Sequence, residues 1–101
     1  MGNKDTILPE YTLRLFITGA SPNSVKAISN VRHICDTYLS GRYTLEVIDI
    51  YQQPEAASID QVIAVPLLIK SSPAPFKRLV GNMSDTAQVL KGLHITEPDY
   101  K

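Results

Sequence analysis

The sequence predicts a single α/β domain built on a parallel β-α-β unit. Residues 11–18 are rich in β-branched and aromatic side chains, as a strand should be, and a second such run follows at 43–51. Between them, apolar residues recur at steps of three and four, which is the period of an amphipathic helix. Because a helix joins the two strands, we expect them to be parallel, with a right-handed crossover.

Length, charge and composition narrow the class of protein. The 101 residues suffice for one domain with a modest core, and ten basic residues balance ten acidic ones. A net charge of zero argues against nonspecific binding to nucleic acid. The sequence lacks the roughly 20-residue apolar run that a membrane span needs, and its first residues lack the apolar core of a signal peptide. These features predict a soluble cytoplasmic domain.

The first helix and the strands beside it contain few candidates for chemistry. Gly19 permits a turn, Ser21 can cap the helix, and Pro22 suits its first turn. One apolar helix face is predicted, formed by Val25, Ile28, Val31, Ile34, Cys35, Tyr38 and Leu39. Cys35, the single cysteine, is therefore interpreted as a core residue rather than a reactive thiol. Asp49 is interpreted as a solvated strand end in preference to a catalytic acid, because spacing places no second carboxylate or histidine near it.

The second half of the chain is predicted to form a short helix and a strand. The helix starts at Pro54 and runs through about residue 62. A weak apolar side is formed by Ala56, Ala57, Ile59, Val62 and Ile63. Residues 63–70 have a strand-like composition, but Pro66 lacks an amide donor. That proline belongs at the first residue of a strand, on a sheet edge or in a cis peptide bond.

The last elements follow a proline-rich turn. Residues 76–80 are predicted to form a short strand, and Ser84 is expected to cap a helix over 85–91, with Gly92 just past its end. The expected domain therefore spans 11–93. It is preceded by a flexible lead-in at 1–10 and followed by a polar tail at 94–101.

The predicted order of elements, βαβαββα with a proline opening the third strand, is the layout of the thioredoxin fold. Where thioredoxins carry Cys-x-x-Cys, this chain has Ser21-Pro-Asn-Ser24. Dithiol chemistry requires two thiols, one of them with a lowered pKa, and a serine hydroxyl supplies neither. A thioredoxin-type redox enzyme is therefore the least favoured function.

Several segments of the chain resemble the family of the circadian clock protein KaiB and its bacterial relatives. The resemblance covers about residues 11–93, and its most specific blocks are Pro-Asn-Ser-Val, at 22–25, and Val-Ile-Asp, at 47–49. The matching segments are 13–19, 21–27, 41–50, Pro54, 63–66, 77–81, 84–85 and 92–93.

The resemblance implies a non-enzymatic regulatory protein with no cofactor, metal or catalytic residue. Family members bind the N-terminal ring of the ATPase KaiC and then recruit or displace KaiA and sensor histidine kinases. They are also metamorphic, with a usually tetrameric ground state, βαββααβ, as the alternative to the thioredoxin-like form. The predicted function is docking on a KaiC-like ATPase in circadian or stress-related timing. The alternative is a sensory or adaptor domain that serves a histidine kinase in trans.

Carried onto this sequence, the resemblance places the partner-binding surface on the second helix and the start of the next strand. The predicted contact residues are Lys26, Glu55, Asp60, Gln61, Val62, Val65, Lys77 and Arg78. Without the resemblance, the three basic residues among them would be interpreted as solvated surface charge. The strand at 43–50 is the predicted edge for a further partner, by strand addition.

The segment after residue 93 bears on which form the chain prefers. Pro98 lacks a donor, and Glu97 and Asp99 are poor strand residues. We therefore expect the thioredoxin-like form to predominate, as a monomer or dimer rather than a tetramer.

Overall fold

The computed structural model describes residues 9–95. Its elements are β1 (Tyr11–Ile17), α1 (Pro22–Tyr38), β2 (Tyr43–Asp49), α2 (Pro54–Ile59), β3 (Leu67–Ser72), β4 (Lys77–Val80) and α3 (Thr86–Gly92). This is the predicted order, so the βαβαββα assignment is confirmed. Residues 1–8 of the predicted lead-in and 96–101 of the predicted tail lie outside the described residues, and with them Glu97, Pro98 and Asp99.

Four strands form one mixed sheet in the order β2-β1-β3-β4. β1 and β2 are parallel, as predicted, with Tyr11 opposite Tyr43 and Ile17 opposite Asp49. β3 is antiparallel to β1, and β4 is antiparallel to β3. Because side chains alternate along a strand, the sheet presents two faces that pack against different helices.

The first face is covered by α1 and α3. Its buried cluster includes Leu13 and Leu15 of β1, Leu68 of β3, Val31 of α1 and Leu90 of α3. The second face carries a smaller buried cluster, made of Phe16, Ile48, Leu67 and Ile69. α2 and the loop after it cover this smaller cluster through the half-buried residues Ala56, Val62 and Val65. We call the two sides of the sheet the first face and the second face.

α1 begins as predicted. The Ser21 side chain accepts a hydrogen bond from the Ser24 amide at 3.3 Å, and Pro22 opens the helix. The predicted apolar face is wrong at one position, since Val25 is 53% exposed while Ser24 is fully buried. The physical reason is the hydrogen bonding at the turn: the Thr18 amide donates to Ser24 Oγ at 3.0 Å, which draws that side chain inward.

α3 begins one residue later than predicted. Asp85, and not Ser84, is its N-cap, because the Asp85 carboxylate accepts the Gln88 amide at 3.1 Å. Gly92 is the last helical residue, and His94 follows in the left-handed region at φ 59°. Ile95, which falls in the predicted polar tail, is buried in the cluster of the first face.

Lys70 is a buried charged residue on the first face, at 1% exposure. Its ammonium group donates to the Leu93 carbonyl at 2.9 Å and lies 5.6 Å from the centroid of the Tyr11 ring. A cation at a helix C-terminus satisfies an otherwise unpaired carbonyl. Burial, and secondarily the neighbouring charge of Lys77, lower the pKa of Lys70 from its ordinary value of 10.5.

The lowered pKa of Lys70 predicts a specific pH dependence of stability. Between the lowered pKa and 10.5, the unfolded chain binds more protons than the folded one, so the free energy of unfolding rises with pH. We expect the wild type to gain stability relative to Lys70→Met as pH rises through that window, and the difference to be constant below it. Urea denaturation of both proteins at several pH values measures this. If the free energy of unfolding of the wild type, minus that of Lys70→Met, fell with rising pH, the prediction would be contradicted.

Candidate partner-binding surface

The predicted contact residues of the second half surround α2 and the loop that follows it. α2 opens at Pro54, with Glu55 exposed in its first turn, where an acidic side chain complements the helix dipole. We call residues 60–66, which join α2 to β3, the α2 loop. We call α2, the α2 loop and Arg78 together the candidate surface.

α2 ends earlier than predicted, at Ile59. The Gln61 amide donates to the Ser58 carbonyl at 3.2 Å and the Val62 amide to the Ala57 carbonyl at 2.8 Å. Gln61 itself adopts φ 55°, in the left-handed region. This is the Schellman arrangement, usually closed by glycine. The sequence pattern predicts a longer helix because no glycine marks its end.

β3 begins at Leu67, one residue after Pro66, the proline that was predicted to open it. The peptide bond between Val65 and Pro66 is cis. The described segment before it carries no strand pairing, and Ile63 is 94% exposed. Together with Ile59, at 76% exposure, Ile63 presents an apolar pair on the candidate surface. Both residues lie within 55–65, the region that the family resemblance implies for the partner contact, although neither is among the individually predicted contact residues.

Asp60 is tied to the sheet by an arginine of β1. Both terminal nitrogens of Arg14 donate to the Asp60 carboxylate, the second at 3.0 Å from Oδ1. The hydrogen bond to Asp60 raises the pKa of Arg14 from its ordinary value of 12.5. Arg14 was not among the predicted site residues. A charged residue in the middle of an otherwise apolar strand was the signal that a partner exists.

Arg78 of β4 also faces α2. Its two terminal nitrogens donate to the carbonyls of Asp60 and Gln61, each at 2.9 Å. The guanidinium group is therefore engaged within the chain. Val62 and Val65, two other predicted contact residues, are half-buried against the cluster of the second face.

The remaining basic residues are not brought to the same place. Lys77 is opposite Lys70 in the register of β3 and β4, whereas Arg78 is opposite Ile69. Lys77 and Arg78 therefore lie on opposite faces of the sheet. Lys26 is exposed on α1, the helix that covers the first face. The structure thus groups Glu55, Asp60, Gln61, Val62, Val65 and Arg78, and separates Lys26 and Lys77 from them.

The turn after β1 is a closed network of hydroxyl and carboxylate groups. Ser21 Oγ donates to Ser24 Oγ at 2.8 Å, and Thr18 Oγ1 lies within 3.5 Å of both. Asp49 accepts the amides of Gly19 at 3.0 Å and Tyr51 at 2.9 Å, so its carboxylate holds two backbone turns together. Within residues 9–95, no three metal-binding side chains cluster, and no helix is long and apolar enough to cross a membrane.

Cys35 is a core residue, as predicted, at 1% exposure. Burial, with a smaller contribution from Asp36, raises the pKa of its thiol to about 12. The reactive thiolate is therefore scarcely populated at neutral pH.

Replacement of Cys35 by serine is expected to affect stability alone. A buried hydroxyl without a partner costs about 1–3 kcal/mol, so urea denaturation should show a loss of that size. Binding to any partner, measured by co-elution below the unfolding transition, should not change. Loss of binding by a folded Cys35→Ser protein would contradict the packing role.

β2 lies at one edge of the sheet and pairs only with β1 among the described residues. Its outer backbone groups are therefore free of strand partners in that part of the chain. This is the geometry that strand addition requires.

The comparisons with known proteins agree with the resemblance in the sequence. A KaiB domain model matches residues 14–95. The circadian clock protein KaiB3 of Synechocystis sp. is 45% identical over 83 residues, covering 82% of this chain and 81% of that protein. The circadian clock oscillator protein KaiB of Prochlorococcus marinus is 39% identical over 95 residues, covering 89% and 90%.

Solved structures with the same fold include a domain of SasA and a thioredoxin. The N-terminal domain of Synechococcus elongatus SasA has a TM-score of 0.68 at 22% identity, covering 94% of this chain and 93% of that domain. Mitochondrial thioredoxin 3 of Saccharomyces cerevisiae has a TM-score of 0.67 at 13% identity, covering 85% and 78%. At these identities the two structures establish the thioredoxin-like fold alone. The family follows from the sequence matches: this chain belongs to the KaiB family of circadian clock proteins.

Proposed function

We propose that the chain is a non-enzymatic regulatory protein that docks on a KaiC-like ring ATPase through the candidate surface. The observation that carries the proposal is the exposed apolar pair, Ile59 and Ile63, which flanks Gln61 in its left-handed conformation. Exposed apolar side chains on an ordered segment are typical of interaction sites, and unusual backbone conformations concentrate at functional positions. The pair lies within the region where the family resemblance places the contact with KaiC.

Control of access by further partners is the second part of the proposal. The free edge of β2 would receive a KaiA-like protein or a sensor histidine kinase by strand addition, on the opposite edge of the sheet from β4. Action in trans on a histidine kinase remains the alternative function. We propose the thioredoxin-like form, as a monomer or dimer, as the predominant state of the free chain.

Co-elution tests the docking. The chain would be mixed with a KaiC-like ATPase and nucleotide and separated by size exclusion, alongside a mixture with an isolated sensor histidine kinase. Elution of the chain with the ATPase ring supports the proposal. Elution with the kinase alone would favour the alternative, and elution with neither would contradict both.

A further inference from the structure

Two arginines from separate strands converge on the end of α2. In the register of the sheet, Arg14 of β1 is opposite Ile69 of β3, and Ile69 is opposite Arg78 of β4. The three residues therefore form one row across the sheet, and both arginines lie on the second face, on either side of a buried isoleucine. Residue 60 is 46 positions from Arg14 and 18 from Arg78 along the chain.

Asp60 receives a different kind of hydrogen bond from each arginine. Its carboxylate accepts two N–H groups of Arg14, a paired geometry that fixes orientation as well as distance. Its carbonyl and that of Gln61 accept the two donors of Arg78. The carbonyls of Ala57 and Ser58 are already satisfied by the amides of Val62 and Gln61. Four backbone carbonyls at the end of α2 and in the loop after it are therefore bonded, those of Ala57, Ser58, Asp60 and Gln61. The guanidinium group of Arg78 places a cation where the helix dipole favours one.

Few packing contacts restrain residues 59–63 apart from these hydrogen bonds. Ile59 and Ile63 are largely exposed, and Val62 is only half-buried. Gln61 adopts a left-handed backbone conformation, which is unfavourable for residues other than glycine. Packing alone is thus a weak restraint on the position of the exposed apolar pair.

We propose that Arg14, Asp60 and Arg78 form an internal clamp that positions residues 59–63 for partner docking. Arg78 then supports docking through the backbone that it holds, and not by contacting the partner. The binding half of this inference rests on the proposed function, whereas the clamp itself is a property of the free chain.

Amide hydrogen exchange of the free protein tests the clamp. Asp60→Asn keeps the size of the side chain and its backbone carbonyl but weakens the bond to Arg14, and Arg78→Met removes the bonds to the carbonyls. Each substitution is expected to speed exchange at the amides of Gln61 and Val62 roughly threefold to tenfold. A change of that size corresponds to the loss of one or two hydrogen bonds. Amides of α1 and β2 should not change, which shows that the fold is intact. Unchanged exchange at Gln61 and Val62 would overturn the clamp.

Binding of the same variants to a KaiC-like ATPase tests the positioning role. Both should bind several-fold more weakly, and the double variant should lose less than the product of the two effects, because both release one segment. Arg32→Met, which removes an exposed arginine of α1, is the matched control and should bind as the wild type does. Arg78→Lys keeps the charge but not the planar fork, so it should remain weaker than the wild type.

Four outcomes would count against the positioning role. Weaker binding by Arg78→Met with normal exchange would mean that Arg78 contacts the partner directly. If Arg78→Lys and Asp60→Asn both bound as tightly as the wild type, the weaker binding of Arg78→Met would be due to the lost charge. Faster exchange with undiminished binding would separate the clamp from docking. A wild-type chain that does not bind the ATPase would overturn the proposed function and the positioning role together. The exchange data would still test whether the clamp exists in the free chain.

Discussion

Ile63→Asp is expected to weaken binding to a KaiC-like ATPase by about thirty-fold or more while leaving the free energy of unfolding nearly unchanged. Ile63 is 94% exposed, so the substitution removes almost no buried contact within the chain. Substitutions at such positions usually change stability by no more than about 0.5 kcal/mol. An unpaired carboxylate at the centre of an interface costs at least about 2 kcal/mol, which corresponds to the expected loss of affinity.

A matched control tests whether binding depends on the position of the new charge or only on its presence. Ala87→Asp adds the same carboxylate to an exposed position in the first turn of α3, where the helix dipole tolerates it. α3 covers the first face, away from the candidate surface. Titration calorimetry should show normal binding by this control. Equal affinities for Ile63→Asp and the wild type would show that docking occurs elsewhere.

Phe16→Ala is expected to lower the free energy of unfolding by about 3–5 kcal/mol. Phe16 is fully buried and is opposite Ile48 of β2 and Leu67 of β3, so its ring fills the centre of the cluster on the second face. The Arg14 guanidinium carbon lies 5.6 Å from the centroid of the ring. Truncation leaves a cavity beneath the helix that carries the candidate surface. For a domain whose total stability is about 5–15 kcal/mol, the loss is severe.

Urea denaturation measures this loss, with Phe76→Ala as the control. Phe76 is 54% exposed in the turn before β4, so the same truncation there should cost well under half as much. The slope of the unfolding free energy with urea should stay constant in both variants, since the surface exposed on unfolding hardly changes. Similar losses for Phe16→Ala and Phe76→Ala would contradict the central role of the second-face cluster.

One contrast with thioredoxins lies in the turn after β1. The fold is shared, but the position of the two thiols holds Ser21 and Ser24, whose hydroxyl groups are bonded to one another. The Ser24 hydroxyl also accepts the backbone amide of Thr18. The network stabilises the start of α1. The single cysteine, Cys35, lies elsewhere, in the core. Among the described residues, the most exposed large apolar side chain is that of Ile63, in the α2 loop.

Features that depend on near neighbours in the chain were predictable. The period of three and four residues identified α1 and the burial of Cys35, and a serine before a proline identified the cap at Ser21. The length of the connection between β1 and β2 required a parallel pair. Helical periodicity, capping and strand alternation act over a few residues, so composition and spacing carry enough information to assign them.

The tertiary structure alone decided the arrangement of the candidate surface. The end of α2 depends on Gln61 adopting a conformation that its residue type disfavours, so the sequence pattern extended the helix and counted Ile59 and Ile63 as part of its apolar side. The opposite orientations of Lys77 and Arg78 depend on the register of β4 against β3. The contact between Arg14 and Asp60 joins residues 46 positions apart. The strand order that brings such distant residues together is set by packing of the whole sheet, and no spacing rule within the chain encodes it.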